Sequence, residues 1–411
     1  MRCRALESES RNKAGASKSQ LLDKSFWTSP RNTSLRRWSF YVHFYAGLIA
    51  GLLFSVVGVT GSILVFVPEL RVLEVPGHAE VRPTGQRLPL DALLEIVRKS
   101  RPDDSIESFS SASERVSFEL ATDKAFNFRS YSPTGERIQT FINPYTGAII
   151  CQYNYNHRIL QKIYDLHDNL LGGLTGRTIN AWFAMLLLVV SIAGLLLWWR
   201  GRKYWRLGFE YRIQASWKRQ TWDIHNVGGF FFFLPLLILA VTGIYYSYES
   251  QFAKLASVLT HSPSSIRTPR SSLPGAKWRP VDDILRSSDE AAPDCKPAIF
   301  YFPKSADSSF YVRVHCPYDP HAVGLTYIYV DPPTARTTLV DRFYQEPYGM
   351  RLIRLVTPVH YGDVGGLTTR VLWIVTGLTP GVLFFTSLLL WWNRSLSKKW
   401  LRRAVKSSAA L

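Results

Sequence analysis

Two histidines that lie near the start of apolar stretches have matching surroundings. His43 and His225 align without a gap. The same alignment superimposes three further pairs, namely Gly47 on Gly229, Thr60-Gly61 on Thr242-Gly243, and Arg36-Arg37 on Lys218-Arg219. Imidazole is a common metal ligand, and it is a standard axial ligand of haem iron. The pair is therefore a candidate ligand set.

A second pair of histidines matches in the same way. His167 and His360 align without a gap, and a Gly-Gly-Leu-Thr sequence begins five residues after each of them. At the far end of the apolar stretch that follows, Trp198-Trp199 falls over Trp391-Trp392. Two separately repeated pairs favour an internal duplication over four unrelated histidines.

The duplication predicts how each pair is arranged. If the apolar stretches cross a membrane, both copies begin on the same side of it, and their symmetry axis should run along the membrane normal. Equivalent residues then face each other across that axis, where two imidazoles can bind haem iron from both faces. Glycines after the histidines would let a flat macrocycle approach the backbone; these are Gly47, Gly229, Gly172-Gly173 and Gly365-Gly366. The alternative is that each histidine is an interfacial residue at a helix end.

Four apolar segments would position these histidines. Roughly 20 apolar residues cross a hydrocarbon core of about 30 Å. The sequence predicts transmembrane helices over residues 34–68, 178–200, 224–248 and 369–393. His43 and His225 would lie at the beginning of the first and third helices, and the other pair before the second and fourth. Two haems along the membrane normal would divide the barrier into shorter electron-transfer hops.

The distribution of the net charge of +18 along the chain indicates the membrane topology. The basic segments are the arm 1–33, the loop 201–223 and the tail 394–411. With four spans all three lie on one side, which the positive-inside rule assigns to the cytoplasm. We expect a multi-pass protein of a bacterial inner membrane, surrounded by lipid, with both termini cytoplasmic and no nucleic-acid partner. The arm, rich in Ser and charge, is expected to be disordered.

The polar segments 69–177 and 249–368 are expected to be periplasmic α+β domains. In the first, the pattern predicts a helix over Leu88–Ser100 and strands over Val116–Leu120, Ala125–Tyr131, Arg137–Asn143 and Ala148–Tyr153. In the second, it predicts a helix over Val281–Ser287 and strands over Ala298–Phe302, Phe310–His315 and Leu325–Val330. Cys295 and Cys316 are the favoured disulfide pair, because both lie in one outer segment.

The sequence resembles the PepSY-associated transmembrane helix family over roughly residues 31–395. The resemblance rests on Arg37-Trp-Ser-Phe-Tyr-Val-His43, Leu-His167 with Trp198-Trp199, Trp222-Asp-Ile-His225, and Val-His360 with Trp391-Trp392. Two turns, Asn143-Pro-Tyr-Thr-Gly147 and Asp331-Pro-Pro-Thr, are similar to the Asp-Pro-x-Thr-Gly turn of PepSY modules, although Ala335 replaces the glycine of the second.

The resemblance implies four membrane helices with two PepSY-like outer domains, and a function close to that of inner-membrane ferric-siderophore reductases. Such a protein holds two b haems, accepts electrons from a cytoplasmic protein or a quinol, and reduces periplasmic Fe(III)-siderophore to release Fe(II). The ligand positions carried over are His43, His225, His167 and His360. His157 is a reserve ligand and Lys162 a weaker one. Arg351 and Arg354 are interpreted as partners of haem propionates, and attraction of an anionic chelate is the alternative.

Two other classes of function fit parts of the sequence. PepSY modules also occur in non-enzymatic membrane regulators and binding proteins, for which the four histidines would be dispensable. A duplicated transporter is disfavoured, because transporters usually place charged or helix-breaking residues at mid-membrane. Here those positions are apolar apart from Pro235 and Pro380, and the two prolines do not match in the alignment.

Overall fold

The computed structural model describes residues 26–113, 117, 119–263, 268–317 and 319–396. The predicted disorder of the arm therefore concerns residues that lie almost wholly outside the described part of the chain. The helices are α1 (Ser34–Leu64), α2 (Val67–Leu73), α3 (Leu90–Ser100), α4 (Ile159–Asn169), α5 (Gly173–Trp198), α6 (Trp217–Phe231), α7 (Phe233–Ser247), α8 (Glu249–Thr260), α9 (Val281–Ala291), α10 (Tyr348–Tyr361) and α11 (Gly366–Trp391).

The strands form one sheet. They are β1 (Ser105–Ser111), β2 (Phe126–Tyr131), β3 (Arg137–Ile142), β4 (Ile149–Asn154), β5 (Lys296–Tyr301), β6 (Phe310–His315), β7 (Thr326–Val330) and β8 (Thr337–Asp341). The chain divides into two compact units. Within the described residues, the helical unit comprises 26–62, 174–247 and 373–396, and the sheet unit comprises 63–173 and 248–372.

The apolar runs of the helical unit form membrane-length helices. α1, α5 and the helix Gly366–Ser395 that contains α11 are each long and apolar enough to cross a bilayer. α6 and α7 satisfy the same test only together, because they are bent by 58° at a short break. The chain is therefore a multi-pass membrane protein, and its third predicted span, 224–248, is a broken helix.

Pro235 accounts for the break. It lies in the first turn of α7, where its ring would collide with the carbonyl of Phe231 if α6 simply continued, and it has no N–H to donate. The chain leaves helical geometry at Phe232, whose φ and ψ are −92° and 1°. A helix that restarts there keeps the proline in its first turn, where a missing N–H costs little. α11 contains Pro380 without such a break.

Small residues set the contact between α1 and α11. A Cβ atom added at Gly58 would lie 2.0 Å from the carbonyl oxygen of Gly377, so the two backbones touch at this point. The Ser62 hydroxyl donates to the carbonyl of Ile374 over 3.1 Å. Close approach at small residues is a usual source of helix association in membranes, where apolar side chains gain little by leaving lipid.

The sheet of the second unit is built from two antiparallel meanders. The strand order is β4-β3-β2-β1-β5-β6-β7-β8, so the first strands of the two meanders, β1 and β5, pair at the centre. Phe109 and Phe300 are direct partners in that pairing, and their rings stack 5.0 Å apart. A shared aromatic core therefore joins the two halves of the sheet.

One face of the sheet is covered by α3 and α9. Both helices follow a proline and place apolar residues at helical spacing, and Leu93 and Ile284 are fully buried in the shared core. Each helix occurs where the sequence predicts one. The predicted disulfide is also confirmed, because Cys295 and Cys316 are bonded to each other.

The strand predictions need correction at three places. The first strand of the sheet is Ser105–Ser111, which the sequence pattern did not indicate, because its buried residues other than Phe109 are serines. In the predicted strand Val116–Leu120, Val116 and Phe118 lie outside the described residues, and Glu119 and Leu120 form a turn. The edge strand Thr337–Asp341 was also missed, because its half-exposed residues give no apolar alternation.

Candidate functional site

The first histidine pair lies in the helical unit. His43 on α1 and His225 on α6 are both half-buried, and their ring centroids are 6.0 Å apart. The Nδ1 atom of His43 is 2.9 Å from the carbonyl oxygen of Val190 on α5. The Nδ1 atom of His225 is 3.2 Å from the carbonyl oxygen of Leu383 on α11 and 3.1 Å from the hydroxyl of Thr386.

These contacts select one tautomer of each ring. A backbone carbonyl only accepts hydrogen bonds, so each Nδ1 atom must carry the proton and donate it. Nε2 is then the unprotonated nitrogen, with a lone pair for a metal. Histidines that bind metals usually donate their other ring nitrogen to a carbonyl or carboxylate in this way. His43 and His225 thus have the protonation pattern of a ligand pair.

The two carbonyl partners occupy equivalent places in the sequence. Val190 and Leu383 coincide in the gap-free alignment of His167 with His360. The two histidines coincide in the other alignment. Both members of the pair are therefore held by the same kind of contact from the same position of a neighbouring helix.

Glycines shape the space around this pair. A Cβ atom added at Gly194 would lie 2.9 Å from Cε1 of His43, so the lack of a side chain there makes room for the imidazole. A Cβ atom added at Gly228 or Gly229 would meet nothing within 4 Å, and one at Gly47 only Val190 at 3.9 Å. The backbone beside the rings is open, as an approaching flat macrocycle requires.

The second pair lies in the sheet unit. His167 is in the last turn of α4 and His360 in the last turn of α10, with ring centroids 6.2 Å apart and planes inclined by 55°. Burial, and secondarily the nearby His167 ring, lowers the pKa of His360 to about 3. His360 is therefore a neutral imidazole at physiological pH, the form that binds metals.

The glycines after this pair have a backbone role. Gly173 and Gly366 begin α5 and α11 with φ of +57° and +63°, a conformation that side chains disfavour. A Cβ atom at either position would meet nothing within 4 Å. The required φ explains these two glycines without a macrocycle, unlike Gly229, which lies inside a regular helix.

The distances fit a two-histidine haem site. Metal–imidazole bonds are about 2 Å long and the ring centre lies roughly 1 Å behind the nitrogen, so two axial imidazoles place their centroids about 6 Å apart. The pairs measure 6.0 and 6.2 Å. No cluster of three or more His, Cys, Asp or Glu residues suited to a metal ion occurs in the described part of the chain. Two protein ligands suit an ion whose other ligands come from a macrocycle.

The reserve ligands are poorly placed for this chemistry. His157 is exposed, and its Nε2 atom lies 3.9 Å from a carboxylate oxygen of Glu136. Lys162 is exposed on α4. Neither residue has the half-buried setting of the four paired histidines.

Arg354, interpreted as a propionate partner, already has partners within the sheet unit. Its guanidinium forms ion pairs with Asp341 and Glu346, the latter at 2.7 Å, and donates to the Leu325 carbonyl over 2.8 Å. These contacts with two buried acidic side chains and a backbone carbonyl tie α10 to the sheet. Arg351 lies over the ring of Tyr348, at 5.6 Å from its centroid.

One buried contact near this pair had no signal in the sequence. His321 accepts a hydrogen bond at Nδ1 from the amide of Val323, which leaves the proton on Nε2, 3.7 Å from Asp363. Asp363 follows the end of α10 that carries His360. The sequence could not indicate this contact, because His321 has no equivalent in the other half and lies far from Asp363 along the chain.

Fold and site together define a multi-pass membrane protein with two histidine pairs, in each of which the two ring centroids lie about 6 Å apart. The chain matches the model of the PepSY-associated TM region over residues 40–394, and it belongs to that family. No curated protein matched the chain.

Proposed function

We propose that this protein carries electrons across a membrane through two b haems and reduces a ferric siderophore on the outer side. One haem would be held between His43 and His225, and the other between His167 and His360. When bound, haem supplies a one-electron Fe(III)/Fe(II) couple. The resemblance to ferric-siderophore reductases suggests a ferric siderophore as the electron acceptor. An oxygen-rich chelator binds Fe(II) more weakly than Fe(III), so reduction would release the iron.

The observation that carries the proposal is the geometry of the first pair. His43 and His225 lie 6.0 Å apart and each uses Nδ1 on a backbone carbonyl, leaving both Nε2 atoms for iron. A pair of interfacial histidines would have no need of equivalent carbonyl partners on two further helices. The second pair has the same spacing but a different setting in the sheet unit.

The chain's residues have defined tasks in this proposal. The carbonyls of Val190 and Leu383 hold the two imidazoles in the tautomer that binds iron, and Gly229 leaves room for the ring edge. Each electron that leaves the protein reduces one Fe(III) to Fe(II). It is replaced from a donor on the cytoplasmic side, either a protein or a quinol; oxidation of one quinol would supply two electrons and release two protons.

The duplication and the topology are part of the same proposal. Each half would consist of a span, a helix with a four-stranded meander, and a second span. The paired strands β1 and β5 and the matching carbonyl contacts support this division. The positive-inside rule then puts both termini in the cytoplasm of a bacterium and the sheet unit in the periplasm.

A difference spectrum tests the function directly. Reduced-minus-oxidised spectra of the purified full-length protein, with haem counted per chain, should give two b haems. His43→Ala and His225→Ala should each remove the same haem, and His167→Ala and His360→Ala the other. A haem-free preparation from haem-replete cells would reject the proposal, and retention of activity by all four variants would favour a non-enzymatic PepSY regulator.

A further inference from the structure

A small arginine-lined pocket lies at the end of the helical unit where α1 begins and α5 ends. Its volume is about 270 Å³. Its lining residues, all in the helical unit, are Pro30, Arg31, Arg36, Leu197, Arg200, Arg219, Trp222 and Asn226. Four of the eight carry a positive charge, and none is acidic.

Two carboxylates, Glu210 and Asp223, act on Arg200, and both already have partners. Glu210 pairs with Arg212 over 2.9 Å. Asp223 is fully buried, and it accepts a hydrogen bond from Nε of Arg219 over 2.8 Å and another from the amide of Arg212 over 3.2 Å. It offsets one guanidinium. Arg36 uses one of its nitrogens on the carbonyl of Trp199, which is neutral. The pocket therefore has a clear excess of positive charge.

Arg200 lies within this excess of positive charge. Its Nη2 atom is buried and has no hydrogen-bond partner among the described residues. Its guanidinium lies 4.9 Å from the centre of the Trp222 ring, and Arg219 lies 5.0 Å from the same ring. Burial, and then the charge of Arg219, lowers the pKa of Arg200. Since a guanidinium stays protonated in proteins, the buried nitrogen and the surrounding positive charge favour the binding of an external anion.

The size and position of the pocket narrow the identity of that anion. Binding sites for whole small molecules usually span about 300–1,000 Å³, so about 270 Å³ suits a single charged group better than a nucleotide. Planar guanidinium groups match the oxygens of phosphate in pairs. Basic pockets at the ends of transmembrane helices are known positions for phospholipid headgroups, and Leu197 gives this pocket one apolar side.

We propose that this pocket binds a phosphate group through Arg36, Arg200 and Arg219, supplied by an anionic phospholipid or by soluble phosphate. Trp222, which both Arg200 and Arg219 contact, lies one helical turn before His225 on α6. Occupancy would thus stabilise the start of the helix that carries this histidine. The proposal does not depend on haem, because it rests on the charges of the pocket.

The test uses the full-length protein in a neutral detergent. Native mass spectrometry counts retained phospholipid, and thermal unfolding follows the addition of inorganic phosphate to delipidated protein. The variants are Arg200→Gln and Arg36→Gln. The matched control is Arg37→Gln, which removes the same charge from the exposed neighbour of Arg36. Haem content is measured on every sample.

The proposal predicts that the wild type and the control keep the ligand, while each pocket variant binds phosphate about tenfold or more weakly, the usual consequence of losing a charge-assisted hydrogen bond. Without phosphate, Arg200→Gln should unfold at the same temperature as the wild type or higher, since it relieves repulsion. A retained anionic lipid identifies the lipid source, and saturable phosphate binding without retained lipid identifies the soluble one.

Two results would overturn the proposal. One is that neither lipid nor phosphate distinguishes the pocket variants from Arg37→Gln. The other is that Arg200→Gln lowers haem content with no change in phosphate binding, which would assign the arginines to a haem propionate. If no sample contains haem but the phosphate results hold, the electron-transfer function fails and the anion site stands.

Discussion

Asp91 and Asp282 cap each other's helices. The Asp282 carboxylate accepts from the amides of Leu90 and Asp91 at the start of α3, over 3.1 and 3.3 Å. The Asp91 carboxylate accepts from Val281 and Asp282 at the start of α9, over 3.0 and 3.4 Å. Each half of the sheet unit thus satisfies helix amides of the other, and negative charge lies at the positive end of both helices.

Loss of either cap should lower the stability of the sheet unit. Asp91→Ala and Asp282→Ala each leave helix amides without an acceptor, so we expect the free energy of unfolding to fall by about 1 kcal/mol for each. Denaturant unfolding of the full-length protein measures the change. Asp103→Ala is the control, because Asp103 is exposed before β1 and should change stability little. Equal stability of all three variants would contradict a capping role.

The open space beside Gly229 makes a second prediction. Gly229→Leu adds a side chain where a Cβ atom meets nothing within 4 Å, and it replaces a glycine inside a helix. Protein stability should therefore be unchanged or rise by up to about 1 kcal/mol. If the protein holds two haems as proposed, haem content should nevertheless fall from two per chain to one, because the leucine would occupy the place proposed for the macrocycle. The second haem is the internal control, and two retained haems would show that the space has another use.

Alanine substitution at two glycines of α1 should affect protein stability differently, because only one of them touches α11. In Gly58→Ala the new methyl group would lie 2.0 Å from the carbonyl oxygen of Gly377, and neither backbone can yield without separating the helices. We expect a loss of about 1–3 kcal/mol. Gly47→Ala, on the same helix, meets only Val190 at 3.9 Å and should be neutral or stabilising. Thermal unfolding in detergent distinguishes the two, and similar values for both would argue against the close crossing.

Particular residues show how much of the structure could be predicted from the sequence. The alignment of His43 with His225 predicted that the two rings would lie close together, and their centroids are 6.0 Å apart with the planes nearly perpendicular. The break at Phe232 could be predicted only in part, since Pro235 breaks α6 from α7 whereas Pro380 lies within an unbroken α11. The strand Ser105–Ser111 was missed because its burial depends on β2 and β5, which lie far away in the sequence.

Ala335 replaces the glycine of the PepSY-type turn, but its backbone keeps the left-handed conformation that favours glycine. Ala335 has φ of +53°, in the same left-handed region as Gly147, with φ of +71°, at the matching turn of the first half. Ala335→Gly should therefore raise the free energy of unfolding by about 1 kcal/mol, because glycine adopts this conformation without steric cost. Gly147→Ala should lower it, since a Cβ atom there would also lie 2.7 Å from Ile96. If Ala335→Gly does not raise the free energy of unfolding, the left-handed conformation of Ala335 is not a source of strain.

The ion-pair network of α10 should make stability depend on pH. Burial, and then the Asp341 carboxylate, raises the pKa of Glu346 from 4.5 to about 7, although Arg354 opposes the shift. The folded protein then binds more protons at this site than the unfolded chain between about pH 4.5 and 7, so the free energy of unfolding falls as pH rises through that range. Glu346→Gln keeps the shape but cannot titrate, and it should flatten this part of the pH profile. Glu95→Gln, at an exposed position on α3, should leave this part of the profile unchanged, because Lys99 lowers the pKa of Glu95 rather than raising it. Parallel profiles for the wild type and Glu346→Gln would mean that Glu346 stays ionised beside Arg354.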